Sequence, residues 1–326
     1  MNAKKVKILF MISIAFLMIF LLPFHPLFGM QKVRLGYLQS DLHQLAVFVA
    51  LEKGLFQQEG IDITIGGIFK AGPEEMTAFA SGELDIGYVG EAPATVAVAN
   101  KVADVKIIAQ VNLEGSAIMV RKGSGIKSLK DLVGKTVAVP GYAQVQDFLL
   151  RKALTQVDIH IKSVNVIIIK PPEMIPALST KQINGFVAWE PYPSKAITKG
   201  IGEVLMYSGE IWPKHPCCVI VVDSQFLQNY PDIIRRVLRV HVKATNFIKE
   251  NFEEASKIGT RYTGMDLETV KLAMRHILYK YIPDKEGLLE YVTFLNKLSI
   301  IKIEESGEFV KKIIDENPLK CILKIK

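Results

Sequence analysis

Apolar and polar positions along the chain fall into alternating blocks: short apolar runs bounded by turn residues, then stretches with apolar side chains three and four apart. Lys32–Tyr37 (KVRLGY) reads as a buried strand. His43–Lys53 carries helical spacing behind Asp41 as N-cap and stops at Gly54. Ile61–Ile65 reads as a strand. Pro73 suits a first helical position, and Glu74 and Glu75 suit the positive start of a helix ending near Ser81–Gly82. Asp85–Val89 (strand), Ala92–Ala99 (helix) and Val105–Val111 (strand) follow. The alternation then restarts with strands at Ala117–Val120 and Thr136–Val139, a helix over Gln144–Thr155, a strand over Val164–Ile169, a helix over Met174–Ser179 and a strand over Gly185–Trp189. After a strand at Val219–Val222, the spacing predicts consecutive helices, Pro231–Asn251, Phe252–Thr263, Asp266–Ile277 and Asp284–Leu298, expected to cover the first domain. This pattern predicts an α/β architecture with two mostly parallel sheets.

An internal repeat divides the chain. Met76–Ala94 (MTAFASGELDIGYVGEAPA) lies over Ile175–Pro193 (IPALSTKQINGFVAWEPYP) at a constant, ungapped offset of 99 residues. Each copy is a helix end, a polar turn, a buried strand, then a Glu and a Pro-containing loop. The period is too long for a solenoid and suits two similar lobes. Residues 31–115 with 217–326 are expected to form lobe 1, and residues 116–216 lobe 2. Two crossover strands would join them near Asn112–Ser116 and Trp212–Pro216, the arrangement of a hinged clamp. Ligands of open α/β sheets bind beyond the carboxyl ends of strands, so Glu91 and Glu190 are expected on opposite walls of one cleft.

Composition narrows the class. With 326 residues and 49% hydrophobic content, disorder is excluded and two domains are expected. Three cysteines are too few for a disulfide scaffold, and no His/Cys cluster has zinc-ligand spacing, so neither a metal nor another cofactor is expected. Lys4, Lys5 and Lys7 precede an apolar run, Ile8–Leu22, broken only by Ser13 and ended by Pro23. That is the pattern of an export signal, and it is short for a span, which needs about 20 residues. Residues 1–30 are therefore expected to act as a signal peptide or membrane anchor, placing the remainder in the periplasm or on the outer face of the cytoplasmic membrane. Setting those three lysines aside leaves 37 basic and 33 acidic side chains, a formal +4 rather than +7. So mild a surplus predicts no nucleic-acid partner.

Several stretches together carry a specific resemblance: VRLGY (Val33–Tyr37), ALEKGLFQQEGIDI (Ala50–Ile63), SGELDIGYVGEAPA (Ser81–Ala94), IKSLKDLVGKTVAVPG (Ile126–Gly141) and WEPYP (Trp189–Pro193). In order and spacing the chain resembles the type II solute-binding proteins of ABC importers, in the aliphatic-sulfonate, taurine and nitrate group. The resemblance implies the two-lobed periplasmic-binding-protein fold, a small anionic or zwitterionic ligand, and an ABC permease with its cytoplasmic ATPase as partner. GYVGEAP looks most like the sulfonate branch. A monomer is expected. No cysteine lies between Leu22 and Gln31, unlike many lipid-anchored relatives.

An oxyanion needs hydrogen-bond donors and positive potential, and helix N-termini supply both. The candidate ligand-binding residues therefore sit at loop-to-helix entries: Gln39, Ser40, Asp41 and His43; Gly90, Glu91 and Ala92; Gly141, Tyr142 and Gln144; and Gly72 before Pro73. Trp189 and Glu190 face them from the repeat. Glu91 and Glu190 would anchor loops by accepting backbone N–H groups, or receive the amine of a zwitterion such as taurine. Cys217 and Cys218 read as small packing residues of the second crossing. Cys321 lies in a Lys-rich tail expected to fray. The alternatives are a binding protein for a thiamine-precursor pyrimidine, a related pyrimidine-synthase-like enzyme, whose cysteine-rich motif is only partly echoed by His215–Cys218, and an anchored sensory module.

Overall fold

The computed structural model describes residues 31–325. The expected signal segment, residues 1–30, lies outside the described residues. Among those described, no helix is long and apolar enough to cross a membrane.

Among the described residues eleven strands run in chain order: β1 Gln31–Leu38, β2 Ile61–Phe69, β3 Ile86–Gly90, β4 Val105–Glu114, β5 Ser116–Arg121, β6 Thr136–Val139, β7 Asn165–Ile168, β8 Gly185–Trp189, β9 Gly202–Tyr207, β10 Pro216–Asp223 and β11 Ile277–Tyr279. They form a six-stranded sheet in the order β11-β4-β10-β3-β1-β2 and a five-stranded sheet in the order β7-β6-β8-β5-β9. The most central strands are apolar over most of their length. All of β8 is buried, and Val219–Val222 in β10 are at most 1% exposed.

The two-sheet α/β architecture is the one expected, but the sheets are mixed rather than mostly parallel. β3 runs parallel to β1, and β6 parallel to β7 and β8. β10 runs antiparallel to β3 and β4, and β5 antiparallel to β8 and β9. β5 and β10 are the strands that arrive from the opposite sheet, and each therefore enters against the direction of its neighbours. Periodicity within a strand carries no trace of that direction.

The repeat is visible in three dimensions. The helices Gly72–Ala80 and Pro171–Ser179 lead into β3 and β8, both offset by 99 residues. Each of these strands lies between a parallel partner and a crossing strand.

Two local expectations are corrected. Ile277 opens β11 instead of ending a helix; the preceding helix is Leu267–Met274. The C-terminal tail is not frayed. Ser306–Ile313 and Asn317–Leu323 are helices whose Val310, Ile313 and Leu319 are buried, and Asp315 N donates to Ile107 O at 2.8 Å. Lysines crowd the exposed side of these turns and hide the apolar spacing beneath.

Only Gly115 separates β4 from β5. Its φ is +85°, and an added Cβ would lie 2.4 Å from His43 Nε2 and 2.9 Å from Ile277 Cγ1. Both neighbours are buried, so neither can yield cheaply. Gly115→Ala should therefore cost roughly 2–4 kcal/mol through the left-handed backbone and overpacking together, read as a lower urea midpoint at unchanged slope. A midpoint equal to wild type would refute this.

The buried His241 is hydrogen-bonded on both ring nitrogens in its neutral form. Its Nε2–H donates to Gln110 O at 2.8 Å, and Nδ1 accepts from Tyr88 O–H at 3.3 Å. Burial pushes its pKa down from 6.5 to about 4. Between those values the unfolded chain binds a proton that the folded one refuses, so stability falls as pH drops through the window. The loss is of order 3 kcal/mol. In urea titrations across that range, His241→Gln should remove this part of the slope, and an unchanged slope would contradict it.

Candidate functional site

The sheet order brings the ends of β1, β3 and β8 and the start of β10 to one place. Around it, one side contributes Leu38, Asp41, His43, Gly72, Gly90, Ala92 and Pro93. The other contributes Gln144, Val145, Gln146 and Trp189, and Cys217–Cys218 close it from the crossing. The cavity they enclose is about 20 Å³, room for roughly one water.

Each wall has a local cause. Asp41 caps the short 3-10 turn Leu42–Gln44 by accepting His43 N at 2.9 Å, and Gln44 returns its side-chain oxygen to Leu38 N at 2.8 Å. This turn fixes the first entry, with the helix proper beginning at Leu45 rather than at His43. Gly72 is required because a Cβ there would fall 2.3 Å from Pro93 Cγ. Ala143 has φ +60°, and its N–H donates to Asp147 while its carbonyl accepts the Tyr291 hydroxyl. That left-handed residue turns the chain so that Gln144 reaches the cavity.

Of the sequence-predicted residues, Asp41, His43, Gly72, Gly90, Ala92, Gln144 and Trp189 line this cavity. The others do not. Tyr142 stands off this lining: it is 55% exposed, and its hydroxyl donates to Val166 O at 3.3 Å. Gly141 precedes the same turn and stays outside the lining, with Gln144 Nε2 standing 2.6 Å from where its Cβ would be. Gln39 and Ser40 open instead onto a wider groove of about 430 Å³ shared with Tyr192, Lys195, Lys199 and Thr263. There Ser40 Oγ donates to Thr263 O at 3.1 Å. Glu91 and Glu190 are buried but outside the lining. Glu190 Oε2 accepts Ser194 N at 3.1 Å, and Glu91 Oε2 has no partner among the described residues.

Glu190 also ties the two sheets through its backbone. Its N–H donates to Gly115 O at 2.8 Å, and its carbonyl accepts Leu42 N at 3.2 Å. The same Gly115 carbonyl accepts His43 Nε2–H at 2.7 Å. His43 Nδ1 then faces Cys217 Sγ at 3.4 Å and Cys218 Sγ at 3.7 Å. Sequence reasoning took the cysteines for packing residues and missed Leu38, Pro93, Val145 and Gln146 in the lining. His43 and Cys217 are 174 positions apart, and no short-range spacing signals their meeting.

The site has buried acids around it and, among the described residues, no Lys or Arg on its lining. Burial pushes Asp41 and Glu190 up to about 7, and Glu75 and Glu91 well above the carboxylate range. Burial works against charge on His43 too, but the neighbouring Cys217 and Asp41 outweigh it and push the imidazole up to about 9. The hydrogen bond from Cys218, then the imidazole, holds the Cys217 thiol below its ordinary value. Trp189 is 5% exposed, and its indole N–H has no partner among the described residues.

Glu190 has a stability signature. Its folded pKa of about 7 lies above the ordinary 4.5, so the folded state keeps a proton that the unfolded chain has already released. Stability is therefore lost as pH rises from 4.5 to about 7, by an amount of order 3 kcal/mol. Glu190→Gln keeps an acceptor for Ser194 N and should flatten that part of the pH dependence in denaturant titrations. A parallel curve would show that Glu190 does not titrate in this window.

Comparison with known proteins places this geometry. A binding protein of Brucella abortus (strain 2308) is 28% identical over 236 residues, 72% of each chain. A Bacillus subtilis (strain 168) protein named an aliphatic sulfonates-binding protein is 29% identical over 303 residues, 88% of this chain and 90% of that one. The taurine-binding periplasmic protein of Escherichia coli K12 is 29% identical over 179 residues, 54% of each. Among solved structures, the alkanesulfonate-binding protein SsuA of Xanthomonas axonopodis pv. citri, bound to MOPS, superposes with TM-score 0.77 at 17% identity, over 87% of this chain and 98% of that one. The periplasmic nitrate-binding protein NrtA of Synechocystis PCC 6803 gives 0.82 at 15% identity, over 90% and 88%. These structures share the periplasmic-binding-protein fold with this chain. The model of the NMT1-like family matches residues 29–261, and the chain belongs to that family.

Proposed function

We propose that this protein is the extracytoplasmic substrate-binding component of an ABC importer. It takes a small sulfonate, preferably a zwitterion of the taurine type, between lobe 1 (residues 31–115 with 217–326) and lobe 2 (residues 116–216). It then presents the ligand to a permease driven by a cytoplasmic ATPase. The role is binding and release, without turnover. The observation that carries the reading is the cavity itself. It lies at the strand ends of two sheets related by the repeat, and Trp189 on its wall holds a buried indole N–H without a partner among the described residues. Buried polar groups are nearly always paired, and a ligand oxygen would pair this one.

The electrostatics favour a zwitterion over a simple anion. No Lys or Arg lines the cavity, whereas Asp41 does and Glu190 is buried beside it. A carboxylate there would receive an ammonium group, and helix entries at Gly90–Ala92 and Gln144–Val145 would face the sulfonate. About 20 Å³ does not hold taurine, so the ligand enters only if the lobes part. The crossings at Gly115 and before Pro216 supply the two strands about which they would turn. Closure on the ligand is then a population shift toward the state it binds better.

Titrating the purified protein with taurine, alkanesulfonates, nitrate and thiamine-precursor pyrimidines tests this, with thermal stability and tryptophan emission as readouts. Taurine or a close sulfonate should stabilise the protein by about 2.7 kcal/mol at a hundredfold excess over Kd and change the emission. Trp189→Phe should abolish the emission change and weaken binding roughly tenfold to a hundredfold, the worth of one buried hydrogen bond. Silence toward every small anion would refute the reading, and a response confined to pyrimidines would move the protein to the thiamine-precursor class.

A further inference from the structure

We infer that His43, Cys217 and Cys218 form a metal site for a thiophilic d10 cation, Zn²⁺ or Cu⁺, with a further coordination position opening toward the interlobe cavity. Three protein atoms converge: His43 Nδ1 and the two sulfurs all lie within 4.8 Å of one another. Zinc–sulfur bonds of about 2.3 Å and zinc–nitrogen bonds of about 2.0–2.1 Å at a tetrahedral angle place nitrogen and sulfur roughly 3.5 Å apart. The observed nitrogen–sulfur separations are 3.4 and 3.7 Å, so two edges of such a tetrahedron are already in place.

Two features of the backbone build this arrangement. Successive residues of a regular strand point to opposite faces, and adjacent cysteines would not normally meet one partner. The register of β10 against β4 shifts on both sides of Cys218, and an irregularity of that kind re-aims side chains. Both sulfurs thereby reach the same imidazole nitrogen. The ring is oriented from its other side: Nε2–H donates to the Gly115 carbonyl at 2.7 Å, leaving Nδ1 toward the sulfurs. Metal-ligating histidines are typically held in this way by a hydrogen bond from the second ring nitrogen.

Burial and charge agree. His43 is 0% exposed and each cysteine 3%, so the cluster is shielded from solvent. All three cysteines are free. Two thiolates would neutralise a divalent cation, and their softness selects zinc or cuprous ion over calcium or magnesium. His43, Cys217 and Cys218 all border the cavity of about 20 Å³, so the remaining position would be taken by water or by an oxygen of a cleft ligand. That is the open-position pattern of a reactive or ligand-binding centre rather than of a closed structural site. In a cavity with no Lys or Arg on its lining, such an ion would be the local positive charge. The inference stands on the cluster alone and does not require the sulfonate reading.

The test is a Co²⁺ titration of the metal-free, reduced full-length protein with no organic ligand present. One Co²⁺ per chain should bind, with an intense thiolate-to-cobalt charge-transfer band and the visible bands of tetrahedral cobalt, and Zn²⁺ should displace it. A parallel Cu⁺ titration against a chromophoric chelator decides between the two ions. Cys217→Ser and Cys218→Ser should each weaken Co²⁺ binding at least about a hundredfold, since even outer-shell changes cost about 10–100-fold. Cys321→Ser, outside the cluster, should leave it unchanged. The wild-type spectrum needs no variant to fold. A wild type without the charge-transfer band, undiminished binding in the Cys217→Ser/Cys218→Ser pair, or a Cys217–Cys218 disulfide that persists in reductant would each overturn the assignment. Sulfonate binding measured in chelator keeps the two readings separable.

Discussion

The carbonyl oxygen of Gly115 accepts His43 Nε2–H at 2.7 Å and Glu190 N–H at 2.8 Å. One acceptor at the single-residue step between the two sheets thus fixes a side chain from the β1 side and the end of β8. The backbone there has φ +85° and no room for a Cβ, so glycine is dictated twice, by conformation and by packing. What surrounds the cavity follows from this junction. The orientation of His43 sets which nitrogen faces the cysteines, and the position of Glu190 sets where Trp189, its chain neighbour, enters the wall.

The second determinant is the low dielectric around the junction. Asp41, Glu75, Glu91 and Glu190 are all buried, and burial pushes every one of them upward. Folding tolerates these acids by keeping protons on them, because an isolated buried charge costs more than a shifted pKa. Of these four acids only Asp41 stands on the cavity lining, the other three being buried outside it. Under the proposed function, the favoured ligand or ion would supply positive charge to Asp41 and the thiols while offering acceptors to Trp189 and the helix entries.

Much of the fold was legible because its determinants are local. Pro73, Glu74 and Glu75 mark a helix start that the structure places at Gly72, and the 99-residue offset registers the helices and strands of both copies. Strand direction was not legible, since β5 and β10 owe theirs to the path between sheets. The tail helices were hidden by lysines around Val310, Ile313 and Leu319. In the candidate site, Asp41, Gly72, Gly90 and Gln144, which the logic of helix entries singled out, stand on the cavity lining. Tyr142 stands off that lining because the left-handed Ala143 redirects the chain just after it. The meeting of His43 with Cys217 and Cys218 depends on a strand irregularity and a contact across most of the chain, and no periodicity announces either.

The account's central claim is that a small sulfonate is gripped between two hinged sheets at the Trp189 wall. A crystal structure of the protein grown with taurine tests it most directly. Ligand density is expected between Trp189 and Gln144 on one side and Asp41 and Gly90 on the other, with the sulfonate accepting the indole N–H. Taurine bound instead in the outer groove beside Lys195 and Lys199, or no taurine in a cavity unchanged from about 20 Å³, would contradict it.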